Sequence, residues 1–126
     1  MIRNLLIRYS TAMLVVASAA IIYGTLFPAE MIVKSELWSF DKVIHMVGFG
    51  GLTALIWLHL KRIGSSGRPL DVWALVWGIG AGALIELLQY LMPVNRSAEW
   101  GDLLADAVGS ILAVAILRIF RFDRPK

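Results

Sequence analysis

The sequence predicts an all-α membrane protein, a bundle of four transmembrane helices with both termini in the cytoplasm. Three observations carry this reading. The chain is 59% hydrophobic with a mean hydropathy of +0.74, more apolar material than a soluble core of 126 residues buries. Its apolar residues gather in four runs, each close to the roughly 20 helical residues that cross a hydrocarbon layer about 30 Å thick. Its cations lie at the edges of those runs, and most of them on one side.

The first run covers residues 9–27, after Arg3 and Arg8 and before Pro28. Ala17-Ser18-Ala19 fits a small-residue cleavage site, but Ile21, Ile22, Leu26 and Phe27 prolong the apolar stretch beyond it, so we expect an anchor rather than a cleaved leader. The second run covers 43–60 and stops at Lys61-Arg62; the third covers 72–92 and stops at Pro93; the fourth covers 103–120. Residues 64–69, with two glycines, two serines and a proline, have the composition of a turn, as do the connections 28–40 and 93–101. Residues 1–126 read as one domain.

Orientation follows from the cations. Arg3, Arg8, Lys61, Arg62, Arg68, Arg118, Arg121, Arg124 and Lys126 fall on one side, against Lys34, Lys42 and Arg96 on the other. The richer side is cytoplasmic, which places the protein in the inner or plasma membrane as a multi-pass protein. Trp57, Trp73 and Trp77 near the inner boundary, and Trp38 and Trp100 near the outer one, suit interfacial belts. The formal charge of +3 is therefore a topology signal and not a nucleic-acid footprint. The lack of cysteine excludes disulfides, thiolate ligands and thiol nucleophiles.

Polar residues at the outer ends of three spans recur at helical spacing. Asp41 and His45 are four apart, Glu86 and Gln89 three apart, and Asp102 and Asp106 four apart, so each pair shares a helix face. Small residues continue two of those faces: Gly78 and Gly82 lead to Glu86, and Gly109 and Ala113 follow Asp106. Glu86 lies six residues inside Met92, roughly 9 Å along a helix. A carboxylate facing lipid there costs about 2.5 kcal/mol or more, so it should point into the bundle. Asp41 and Asp102 also suit helix N-termini, where a carboxylate complements orphan amide groups. His59, beside Lys61 and Arg62, reads as interfacial.

If the three outer helix ends meet, His45, Glu86, Asp102 and Asp106 could form a metal site, a proton relay, or an acid and base for phosphate-ester hydrolysis, with His45, Glu86 and Asp106 as the catalytic candidates. A divalent cation is the one cofactor these donors suggest, and no motif fixes its identity. Lys42 and Arg96 are the cations on this side, and a guanidinium at Arg96 suits a phosphate head group or an ion pair with Glu86, Glu99 or Asp102. The candidate binding set is Asp41, Lys42, His45, Glu86, Gln89, Arg96, Asp102 and Asp106.

The combination of Asp41-Lys42-Val43-Ile44-His45 with Phe49, Glu86-Leu87-Leu88-Gln89, Arg96-Ser97, and Asp102 to Asp106 with Gly109 resembles the VanZ-like family over residues 28–117. One departure is Asp106, where the family more often has asparagine; a second carboxylate there favours a cation or a shared proton over a neutral amide network. The family takes its name from an accessory protein of glycopeptide-resistance clusters associated with lowered susceptibility to teicoplanin. The resemblance thus implies a role at the cell envelope, while membership alone does not carry resistance to this chain.

These readings lead to an outward-facing polar site that binds a membrane lipid or a lipid-linked, phosphate-bearing envelope intermediate. The alternatives are a membrane hydrolase or transferase using the His and carboxylate cluster, and a structural accessory subunit of a membrane-protein partner, without catalysis. A proton or ion pathway is disfavoured by the scarcity of polar residues in the inner halves of the spans.

Overall fold

The computed structural model describes residues 1–26, 41–91 and 100–120. Among these the chain forms five helices: α1 (Ile2–Arg8), α2 (Ser10–Leu26), α3 (Asp41–Arg62), α4 (Gly67–Leu91) and α5 (Trp100–Ile119). The connections expected at 28–40 and most of 93–101, with Arg96, lie outside the described residues, as do the side chains of Asp41 and Lys42.

Two helices, over Val43–Arg62 and Gly67–Leu91, are long and apolar enough to cross a membrane. A third crossing follows if α1 and α2, bent by 65° at their junction, count as one span. The expected fourth span falls in α5, which carries Asp102, Asp106 and Arg118. The described residues therefore form a helical membrane protein with two helices that are long and apolar enough to span.

The helix boundaries depart from the apolar runs for local reasons. The first run is not one straight helix. The helix of α1 ends at Tyr9, which sits at φ −98° and ψ 9°, and Ser10 Oγ donates to the Ile7 carbonyl at 2.8 Å. That bond satisfies a carbonyl near the break and leaves α1 crosswise, with Leu6 and Ile7 against the core. The expected turn at 64–69 is shorter than its composition suggests. Gly64 and Gly67 adopt φ of 108° and 66°, and α4 already begins at Gly67 because Pro69 is tolerated in a first helical turn.

The core is built on α3, whose most extensive packing is against α5 and then α4. Trp57, Leu58, Leu70, Ala74, Val114 and Leu117 fill the end that α1 covers. Phe49, Leu52 and Ile85 fill the other end, backed by Leu14 and Ile21 of α2. Small residues set how closely the helices approach. A Cβ on Gly50 would stand 2.9 Å from the Gly109 carbonyl oxygen, and one on Gly109 would strike the Met46 carbonyl, so the α3 and α5 backbones approach closely at these two glycines. Val47, Val76, Trp77, Leu84, Leu87, Leu104, Ile111 and Ile116 stay exposed, leaving apolar outer faces on α3, α4 and α5.

Candidate functional site

The N-terminal ends of α3 and α5 meet the C-terminal end of α4, and there the polar residues converge. His45, Glu86, Gln89, Asp102 and Asp106 are all buried, between 0% and 8% exposed. Their spacing explains this. A step of three or four residues keeps Glu86 and Gln89 on one face of α4, and Asp102 and Asp106 on one face of α5, and those faces carry the close-packed glycines Gly82 and Gly109.

At the centre is the His45 ring. Its Nδ1 lies 2.9 Å from Asp106 Oδ1, and its Nε2 lies 3.6 Å from Asp102 Oδ2. An ionised carboxylate only accepts, so Nδ1 donates to Asp106. The second contact is too long for a hydrogen bond and is an electrostatic approach. Phe49, one turn on from His45, stacks beside the imidazole with ring centroids 6.0 Å apart and planes 14° apart, which restricts the ring's tilt. One ligand atom from each of His45, Glu86 and Asp102 falls within 4.8 Å of the others. Asp102 stands in the first turn of α5, where the helix dipole favours a carboxylate.

Gly82 makes room for this arrangement. A Cβ there would meet Asp106 Oδ2 at 2.8 Å, so any larger residue on α4 would push against the carboxylate that holds His45. One turn deeper, Thr53 Oγ1 donates to Ser110 Oγ at 2.6 Å, with both residues fully buried, and Gly78 faces Thr53. The polar face of α5 therefore runs through Asp102, Asp106 and Ser110, and that of α3 through His45 and Thr53.

Of the candidate set, the structure brings His45, Glu86, Asp102 and Asp106 into one cluster, and Gln89 is buried on the Glu86 face. Asp41, Lys42 and Arg96 lie outside what is described of side chains. His59 Nδ1 lies 2.8 Å from Thr11 Oγ1, which accepts from Arg62 Nη1 at 2.7 Å, and these contacts tie α2 to α3.

Sequence reasoning missed a second polar group at the opposite end. Arg118 Nε reaches both Asp71 oxygens, at 3.0 and 2.9 Å, and Arg118 Nη2 donates to the Gly67 carbonyl at 2.7 Å. Trp57 Nε1 donates to Asp71 Oδ1 at 2.9 Å, and Arg118 and Lys61 sit 5.9 and 5.7 Å from the Trp57 ring. The available signal was Asp71 itself, a single acid close in sequence to Lys61, Arg62 and Arg68.

No curated protein and no solved structure matches the chain. The VanZ/LLP1 family model matches residues 3–121, a wider stretch than the motifs alone, and includes every helix that builds the site. A match over nearly the whole chain settles the assignment: this protein belongs to the VanZ/LLP1 family.

Proposed function

We propose that this VanZ-family membrane protein binds a phosphate-bearing, lipid-linked envelope intermediate through its buried polar cluster. The convergence of His45, Glu86, Asp102 and Asp106 from three helices carries the reading, because ionisable side chains within apolar helices mark ligand sites more often than they mark scaffolding. The carboxylates by themselves repel phosphate. The head group is therefore engaged by the cations that lie near these residues in sequence, Lys42 and Arg96, while the His45 cluster shapes the buried part of the site.

The proposal includes a plasma-membrane bundle of four spans, with residues 9–27 and 103–120 crossing beside the two long apolar helices and both termini in the cytoplasm. In support, Leu6 and Ile7 of α1 pack on the same core as Trp57 and Leu117. That arrangement gathers Arg3, Arg8, Lys61, Arg62 and Arg118 at one end, as the positive-inside rule asks, and leaves the His45 cluster at the outer end. An outward site fits a role at the envelope, including the response to glycopeptide antibiotics that the family's name suggests. A second reading, a phosphoester hydrolase or transferase, is favoured by the Asp106–His45 pair, which orients an imidazole as a general base requires.

Because the chain has no cysteine, single-cysteine variants test this cleanly. Cysteines placed at Ser66 and at Ser97 should react with a membrane-impermeant maleimide in intact cells only at Ser97. A photoreactive polyprenyl phosphate should label the wild-type chain, and Glu86→Gln and Arg96→Ala should reduce that labelling at unchanged expression. Labelling that these variants leave unchanged contradicts the binding reading, and turnover of the lipid that Glu86→Gln abolishes favours the enzyme.

A further inference from the structure

We infer that His45, Glu86 and Asp102 form a binding site for one divalent transition-metal ion, with Asp106 as the positioning residue that orients His45. The inference uses the same cluster as the lipid reading and names its inorganic ligand, but it does not need the lipid.

Donor chemistry comes first. One imidazole and two carboxylates, without sulfur, suit an ion of the Zn²⁺ or Mn²⁺ class, and a neutral imidazole with two carboxylates balances a double positive charge. The geometry agrees. The His45 Nε2 to Asp102 Oδ2 distance of 3.6 Å is too long for a hydrogen bond. Two ligands bound to one ion at 2.0–2.1 Å in a tetrahedron stand about 3.3 Å apart, so this pair is already close to that separation. The three donor atoms lie within 4.8 Å of one another, and a point equidistant from three atoms at that limit is about 2.8 Å from each. A contraction of roughly 0.7 Å, within reach of a Glu86 rotamer adjustment, brings all three to bonding distance.

Asp106 supplies the independent argument. By accepting from Nδ1 at 2.9 Å it orients the His45 ring so that Nε2, the ring's other nitrogen, points toward Asp102 Oδ2 at 3.6 Å. The carboxylate–histidine–metal arrangement recurs in metal sites, with the outer carboxylate setting ring orientation and raising ligand basicity. Gly82 and Phe49 hold the two partners: Gly82 leaves the space that Asp106 fills, and Phe49, 2% exposed, stacks on the imidazole.

The competing arrangement is a proton on Nε2, an imidazolium between carboxylates with no metal. Direct metal binding separates the two. Full-length protein in detergent, stripped with EDTA and dialysed, is titrated with ZnCl₂ and MnCl₂ by calorimetry, and X-ray absorption is recorded on the zinc-loaded wild type. The expected result is one ion per chain, a first shell of nitrogen and oxygen, and scattering from one imidazole. Glu86→Gln should lose the ion, and Asp106→Asn should weaken it about 10- to 100-fold while keeping native circular dichroism. Asp71→Asn, at the other end of the bundle, should bind as wild type does. Folded wild type that holds neither ion, or zinc without imidazole scattering, overturns the inference. Polyprenyl phosphate binding measured with and without EDTA keeps the two claims apart. Lipid bound equally well by metal-free protein that also fails the titration leaves only the lipid reading. Metal bound by protein that ignores the lipid leaves only the metal site.

Discussion

Asp106 and His45, 61 residues apart in sequence, share a buried hydrogen bond of 2.9 Å between α5 and α3. Removing the carboxylate leaves a buried imidazole donor without its acceptor, which costs about 1–3 kcal/mol, whereas an amide can still accept through its oxygen. Asp106→Ala should therefore melt well below wild type in detergent, and Asp106→Asn only slightly below it. Equal melting of all three proteins would show that the bond does not hold α3 to α5.

The Asp71–Arg118 pair should behave as a coupled unit. Its side chains are 25% and 28% exposed, so solvent screens the pair in part, and Trp57 shares the same carboxylate. A double-mutant cycle with Asp71→Ala and Arg118→Ala should give a coupling of about 1 kcal/mol, read from melting or denaturant curves. Strictly additive losses would mean the contact contributes nothing to holding α4 against α5.

Close packing of α3 on α5 gives a steric prediction. Gly109→Leu forces a side chain against the Met46 carbonyl, and overpacking of this kind costs about 1–3 kcal/mol or more. Gly80→Leu, at a position with no neighbour within 4 Å, is the matched control and should express and melt like wild type. The check is the folded yield of each by size-exclusion chromatography. A tolerated Gly109→Leu would contradict the observed backbone contact.

The His45 cluster was legible in the sequence because helical spacing alone puts Glu86 with Gln89, and Asp102 with Asp106, on single faces, and the cost of exposing Glu86 to lipid turns its face into the bundle. The Asp71–Arg118 group was not legible. Asp71 has only Arg68 at helical spacing, which reads as a topology signal, and its partner Arg118 is 47 residues away and reads equally well as one. The Thr53–Ser110 pair escaped for a related reason. Hydroxyls in apolar helices are common, and only the packing of α3 on α5 reveals that these two continue the His45 and Asp106 faces. The bend at Tyr9 has no proline or glycine to announce it; it depends on Leu6 and Ile7 finding a core built by later helices.

The account as a whole rests on the cluster being a ligand site and not a brace between helices. A thermal-shift comparison of detergent-purified wild type, Glu86→Gln and Arg96→Ala against polyprenyl phosphate tests this most directly, because a ligand that binds only the folded state raises its melting temperature in proportion to occupancy. The account predicts stabilisation of the wild type that both variants lose. A lipid response unchanged in all three proteins, or absent from wild type while the variants are themselves less stable, would contradict it and make the cluster a structural network.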